Sequence, residues 1–241
     1  TYDDYGNVTR EVDPLGNTIS RTFNTTYDQL SETDALGHTT SWTYDSKHNK
    51  LTETNHLGQT TSYSYDSNGK LLTETDHLGR VISDNSYDNS GQLTQIKNAA
   101  GQTTTMSYGS SGLTALTDVM GNTTAYVYTG DNLTETTDPT GRKIRYTYDA
   151  NKHKLTETII YTDAQGMERQ LLSKFEYDSK GRLVKQTNPD GTVESKIYGS
   201  ADELLSVTNA LGQTTTYLYD ANKNLVQTNY HDGTSSKTLY D

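Results

Sequence analysis

The chain has 241 residues, a formal net charge of −11 and no cysteine. Length alone suits one or two ordinary domains, but Leu, Ile, Val and Phe supply only 40 of the 241 residues, too few for a large apolar core. An excess of 31 Asp and Glu over 20 Lys and Arg argues against nucleic acid or anionic lipid as a partner. The lack of cysteine excludes disulfides and thiolate metal sites.

Low apolar content with high net charge is the usual mark of disorder. Two features reverse that reading. There are 19 tyrosines, whose rings bury area while the hydroxyl stays hydrogen-bonded, and about forty threonines, which suit a half-buried pleated surface. Both recur periodically, so the composition implies an ordered β protein with an amphipathic core. The N-terminus, Thr1-Tyr2-Asp3-Asp4, has no basic region followed by an apolar stretch, and no run approaches the roughly eighteen apolar residues of a membrane span.

In chain order, one glycine marks each unit of a repeat: Gly16, Gly37, Gly58, Gly79, Gly101, Gly121, Gly141, Gly166, Gly191, Gly212 and Gly233, spaced 20 to 25 residues apart and 21 in half the steps. Seven residues after most of them stands an aromatic, usually followed by Asp: Phe23, Tyr44, Tyr65, Tyr108, Tyr128, Tyr148, Tyr198, Tyr219 and Tyr240. Tyr87 and Tyr177 arrive one and four residues late. A Leu or Val follows, as at Leu30, Leu51, Leu72, Leu133, Leu155 and Val226. Asp or Asn stands three residues before the glycine in ten of the eleven repeats, Tyr230 being the exception.

The three prolines all fall two residues before a repeat glycine, in Asp13-Pro14-Leu15-Gly16, Asp138-Pro139-Thr140-Gly141 and Asn188-Pro189-Asp190-Gly191. Asp or Asn first, Pro second and Gly fourth spell a type I turn whose glycine takes the left-handed position of a G1 bulge, which is a hairpin turn. The flanks alternate as strands do. In Gln59 to Tyr65, Thr61, Tyr63 and Tyr65 share one face and Thr60, Ser62 and Ser64 the other. Each repeat therefore predicts one β-hairpin, and the Tyr-Asp turn joins it to the next. The expected fold is an all-β antiparallel meander of about 22 strands, a single array over residues 1–241, coiled by strand twist and by one bulge per hairpin into a spiral strip. The repeat at about 149–178 is longer, with four extra residues on each side of Gly166. Its apolar stretches Ile159-Ile160-Tyr161 and Leu171-Leu172 predict a longer hairpin that leans on something outside the regular wall.

Recurring Tyr-Asp with a downstream Leu-Gly turn, as in Tyr44-Asp45 to Leu57-Gly58 and again at Tyr219-Asp220, resembles the YD repeat of the bacterial Rhs proteins. Related repeats occur in wall-associated polymorphic toxins, insecticidal toxin-complex proteins and animal teneurins. The resemblance covers the whole chain. It implies a hollow β-shell, secreted or at the bacterial cell surface, that encloses and helps deliver a C-terminal toxin domain. The remaining repeats and that cargo would be the partners. It also implies a structural role without catalysis or cofactor, and because the chain runs from Tyr2-Asp3 to Tyr240-Asp241 inside repeats, a fragment of a larger protein. The alternative is a surface adhesion module that binds glycans or a protein through the repeat face. The open edges of terminal strands lead us to expect edge-to-edge self-association.

Sharper chemistry meets a plainer account at each motif. Some family members carry a self-cleaving segment at the end of the shell with an Asp-Pro-x-Gly element and catalytic aspartates, but Asp13-Pro14-Leu15-Gly16 and Asp138-Pro139-Thr140-Gly141 lie in register with the repeat glycine and read as turns. His56 and His77 share a turn position about 10 Å apart, too far for one metal ion between them; with His38, His48, His153 and His231 they read as exposed turn residues. The column Glu32, Glu53 and Glu74 has a spacing compatible with paired carboxylates for glycoside hydrolysis, but a uniform wall supplies no cleft to split their pKa values. Calcium needs several converging oxygens, whereas the turn position exchanges Asp for Asn freely, as a hydrogen-bonding cap does. The tyrosine column suits packing between repeats better than stacking on sugars. No catalytic, cofactor or metal residues are assigned. The structural positions are the eleven glycines and Tyr44, Tyr65, Tyr87, Tyr108, Tyr128, Tyr148, Tyr177, Tyr198, Tyr219 and Tyr240.

Overall fold

The computed structural model describes residues 1–240. All its regular structure is strand: 22 antiparallel strands joined by short turns, with no helix among the described residues. They group into two compact units, Thr1–Ser107 with Leu116–Asn122, and Tyr108–Ala115 with the chain from Thr123 onward.

The first unit holds β1 (Arg10–Val12), β2 (Thr18–Phe23), β3 (Gln29–Thr33), β4 (Thr39–Tyr44), β5 (Lys50–Thr54), β6 (Thr60–Tyr65), β7 (Leu71–Thr75), β8 (Val81–Tyr87), β9 (Leu93–Asn98) and most of β10 (Thr103–Gly109). β11 (Gly112–Thr117) contributes residues to both units. The second unit holds β12 (Thr123–Thr129), β13 (Asn132–Thr137), β14 (Lys143–Tyr148), β15 (Lys154–Thr162), β16 (Glu168–Tyr177), β17 (Leu183–Thr187), β18 (Val193–Tyr198), β19 (Leu204–Thr208), β20 (Thr214–Tyr219), β21 (Leu225–Asn229) and β22 (Ser235–Lys237).

Within each unit every strand pairs with its neighbours in sequence and packs against no other strand. The consequence for the core is severe. Ile160, at 7% exposure, is the one buried hydrophobic residue among those described, and no polar residue is buried. The amphipathic core expected from composition is therefore replaced by a surface on which most strand residues are half-buried. The unit is held by its hydrogen bonds and by contacts along each face.

One face is a ladder of hydroxyls. Thr33 and Thr39, Thr54 and Thr60, and Thr208 and Thr214 meet beside the glycine turns at 2.7 to 2.8 Å. Thr43 and Thr52, Ser64 and Thr73, and Thr147 and Thr156 meet across the alternate hairpins at 2.6 to 2.7 Å. Such cross-strand pairs are each worth roughly 0.2–1 kcal/mol, so a threonine-rich strand is stabilised here without apolar burial.

Variations in period have local causes. Tyr87 comes late because β7 and β8 carry an additional register shift, Thr75 facing Val81 and Glu74 facing Ser83. The 20-residue step between Gly121 and Gly141 reflects a two-residue loop between Thr129 and Asn132, with Gly130 at φ 56° in its first position. The long repeat is a nine- and ten-residue pair, β15 and β16, in register from Thr156 and Lys174 to Thr162 and Glu168.

Candidate functional site

The features that recur most regularly are the two turns and the tyrosine of each repeat. At the glycine turn, Gly58 donates its N–H to the Asn55 carbonyl at 2.9 Å, and Asn55 donates to the Gln59 carbonyl at 3.0 Å. All eleven repeat glycines make this bond to the residue three before, at 2.9 to 3.1 Å, with φ between 77° and 87°. A Cβ on Gly58 would meet nothing within 4 Å, so the glycine serves its backbone angle and leaves no room for a steric account. The Asn55 side-chain oxygen accepts from Leu57 and Gln59 N–H, each at 3.0 Å. Asp34 does the same with Leu36 and His38. Only the oxygen is needed, which is why Asp and Asn exchange. Where Tyr230 cannot cap, Asp232 accepts from Thr234 N–H instead.

The Tyr-Asp turn has the same geometry. Asp45 Oδ1 accepts from Lys47 and Asn49 N–H, and His48 donates to the Asp45 carbonyl. The fourth position again takes a positive φ, but the occupant varies: Gly69, Gly91 and Gly181 in some repeats, and Tyr27, His48, Lys152, Asp202 and Lys223, at 66° to 72°, in others. These five are the described non-glycine residues with positive φ. Sequence reasoning missed them, although Asp45, Asp149 and Asp220, each three residues before one of them, were a usable signal.

After this turn the register shifts by one residue. Tyr65 faces Leu71 while Ser64 faces Thr73, leaving Leu72 as the bulged residue. The same shift makes Leu30, Leu51, Leu155 and Val226 the extra residues in their hairpins. In these hairpins the recurring Leu or Val is thus the bulge itself, while Leu133 faces Tyr128 and Thr134 is the extra residue; the sequence reading had located the bulge at the glycine turn alone.

The tyrosine hydroxyl reaches back one repeat to this bulge. Tyr65 donates to the Lys50 carbonyl at 2.8 Å, Tyr44 to Gln29 at 3.0 Å, Tyr87 to Leu71 at 2.9 Å and Tyr148 to Leu133 at 2.9 Å. Tyr177, Tyr219 and Tyr240 donate to Lys154, Leu204 and Leu225. Each acceptor faces the aromatic of the preceding repeat across the register shift, where the ladder is disrupted. Burial pushes the Tyr44, Tyr65 and Tyr148 hydroxyls up, so they remain donors at neutral pH. Tyr198 is instead overlain by the Arg182 guanidinium at 4.6 Å, and Tyr128 lies beside Gly112. Tyr108 is half-buried in β10.

Two of the three glutamates in the column pair with cations. Glu32 pairs with Arg21 at 2.8 Å and Glu53 with Lys50 at 2.6 Å, and the Lys50 hydrogen bond holds the Glu53 carboxyl below the ordinary range. Glu74 stands opposite Tyr63. A general acid needs a raised pKa, and the pairing with Lys50 moves Glu53 the other way.

The His38 and His56 rings meet with centroids 4.4 Å apart and planes tilted by 38°, and His77 approaches Gln59. His48 bonds Asp28 at 2.8 Å; His153 bonds Asp149 at 2.9 Å and stacks on Tyr177. His231 lies in the last glycine turn, beside Asp232. No group of three or more His, Asp or Glu capable of holding a metal occurs among the described residues. Asp13 and Asp138 of the Asp-Pro-x-Gly elements cap their turns, accepting from Leu15 and Asn17, and from Thr140 and Arg142.

Comparison with known proteins agrees with this geometry. The Teneurin YD-shell family matches residues 3–193 and the RHS repeat family residues 198–235. No curated protein matches. Among solved structures, the crystal structure of TcdB2-TccC3-Cdc42 superposes with a TM-score of 0.74 at 14% identity, over 95% of this chain and 14% of that one. The crystal structure of TcdB2-TccC3 without its hypervariable C-terminal region gives 0.66 at 13% identity, over 95% and 15%. At such identity the likeness is one of fold, and this chain spans only about a seventh of the length of those it matches. Capped double turns, bulged hairpins and the tyrosine that links them are thus the repeat of a known family, and the chain belongs to the YD-repeat family, as a run of YD-shell and Rhs repeats.

Proposed function

We propose that this chain is a non-enzymatic wall segment of a YD shell which, with the remaining repeats of its parent, encloses and helps deliver a toxin domain outside the producing cell. The observation that carries this reading is the use to which polar groups are put. Turn carboxylates cap backbone N–H groups, tyrosine hydroxyls bind the previous repeat, and glutamates such as Glu32, Glu53 and Glu135 pair with Arg or Lys. Groups so committed build a wall. The similar structures are of TcdB2-TccC3-Cdc42 and of TcdB2-TccC3 without its hypervariable C-terminal region, which supports a carrier role by analogy.

Limited proteolysis of the full-length parent tests the proposal. The region after the repeats is expected to resist cleavage until the wall is opened by combined Tyr44→Ala, Tyr65→Ala and Tyr87→Ala. Cleavage at the same rate with the wall intact would exclude encapsulation.

The second reading, adhesion, draws support from the exposed tips of the glycine turns, where Leu15, Leu36, Leu57 and Leu78 are 64–88% exposed. It favours a protein over a glycan, because the tyrosines are occupied by packing and hydroxyl bonds. A glycan array with saturable binding lost on tyrosine substitution would reverse that preference.

A further inference from the structure

The long hairpin leaves part of β16 without a neighbour. β17 pairs with β16 only from Lys174 to Tyr177, because Thr187 faces Lys174 and the chain then turns at Asn188–Gly191. Residues Glu168 to Leu172 therefore form a sheet edge, and all five are exposed. The pairing fixes which backbone groups point outward. Asp163 donates to the Met167 carbonyl, so Tyr161 with Arg169 and Ile159 with Leu171 are the hydrogen-bonded pairs of the β15 and β16 ladder. The N–H and C=O groups of Glu168, Gln170 and Leu172 face away from β15, with no partner among the described residues. In a shorter repeat the overhang is shorter: β18 extends only two residues beyond its pairing with β19, which begins at Ser195.

Such an edge is complementary to the backbone of an extended strand and to no other protein element. Its side chains say which strand. Arg169 is already paired with Asp163 at 2.7 Å, while the Glu168 carboxylate has no cationic partner among the described residues and accepts only from Gln170, at 3.2 Å. Leu171 and Leu172 are each 39% exposed at the far end of the edge. A second copy, in the antiparallel register centred on Gln170, would set Glu168 against Leu172, and a chain of net charge −11 repels itself.

We propose that the β16 edge, Glu168 to Leu172, docks an extended basic peptide segment by adding it as an antiparallel strand. Aliphatic residues of the segment lie opposite Leu171 and Leu172, and a lysine or arginine lies opposite Glu168. This site does not depend on whether the wall encloses a toxin.

The test uses the whole chain and the peptide acetyl-Thr-Val-Ile-Thr-Thr-Lys-Lys-amide. Binding is expected to slow amide hydrogen exchange at Glu168, Gln170 and Leu172, and to leave Arg169 and Leu171, already bonded to β15, unchanged. Replacing the peptide lysines by glutamates weakens binding about two- to fivefold or more, on the scale of an exposed ion pair. Glu168→Lys reverses that preference without touching the fold, and Gln170→Pro, which removes one outward N–H at a tolerated edge position, abolishes binding. No change in exchange at the three outward amides overturns the proposal, as does binding that survives Gln170→Pro. Protection without peptide, accompanied by dimers in light scattering, assigns the edge to a second copy and equally overturns it.

Discussion

Tyr65→Phe isolates the link between repeats. The substitution leaves the half-buried ring in place and removes the one atom that donates to the Lys50 carbonyl at 2.8 Å. A net hydrogen bond contributes about 0.5–1.5 kcal/mol, and the lower half of that range applies because water reaches a half-buried carbonyl. The expected loss is therefore about 0.5–1 kcal/mol, and Tyr65→Leu, which also removes ring packing, loses more. In an array stabilised by nearest neighbours the effect is local as well as global. Amide exchange should rise around the bulge at Lys50 to Thr52 and in β6, and stay unchanged in the second unit. Urea titration followed by tyrosine fluorescence gives the global term, and exchange by mass spectrometry gives the local one. If Tyr65→Phe leaves both unchanged while Tyr65→Leu destabilises, the ring alone joins the repeats and the hydroxyl account is refuted. Phe23 at the equivalent place in its repeat already shows that no single hydroxyl is indispensable.

Three further outcomes follow from the turns. Gly58→Ala should cost about 1–2 kcal/mol from its left-handed backbone angle alone, since open space surrounds the added methyl; a neutral result in urea titration would disprove the strain. Asp45 is held below its ordinary value of 3.8, first by the Asn49 side chain and then by the Asn49 backbone. Its contribution is complete above that value and disappears as pH falls through the lower folded-state value. Asp45→Asn should therefore be less stable than the natural chain at pH 7 and approach it as pH drops below 3.8; a gap independent of pH would contradict the charge argument. Intact mass after prolonged incubation should stay constant, because the carboxylates of Asp13 and Asp138 are engaged by their own turns; cleavage before Pro14 or Pro139 would overturn the turn reading of both elements.

The period, the antiparallel hairpins and the glycine turn were legible in the sequence because their causes are local. Pro14, Gly16 and Asp13 act within five residues, and Thr or Tyr alternation reports a pleat whatever lies beyond it. The identical geometry of the Tyr-Asp turn was less legible, since Tyr27, His48 and Lys152 stand where glycine would have announced it.

Other features depend on register, which no local pattern states. The Leu at the bulge looks like a core residue until Tyr65 is seen facing Leu71 and Ser64 facing Thr73. The acceptor of each tyrosine hydroxyl lies some fifteen residues back, on a carbonyl whose availability follows from that bulge. His38 meets His56 for a similar reason, as the two belong to adjacent hairpins. Sequence by itself determined the repeat and its turns, through backbone preferences of single residues. Tertiary structure alone decided what joins one repeat to the next and which edge is left open at β16, because both depend on where neighbouring strands begin and end.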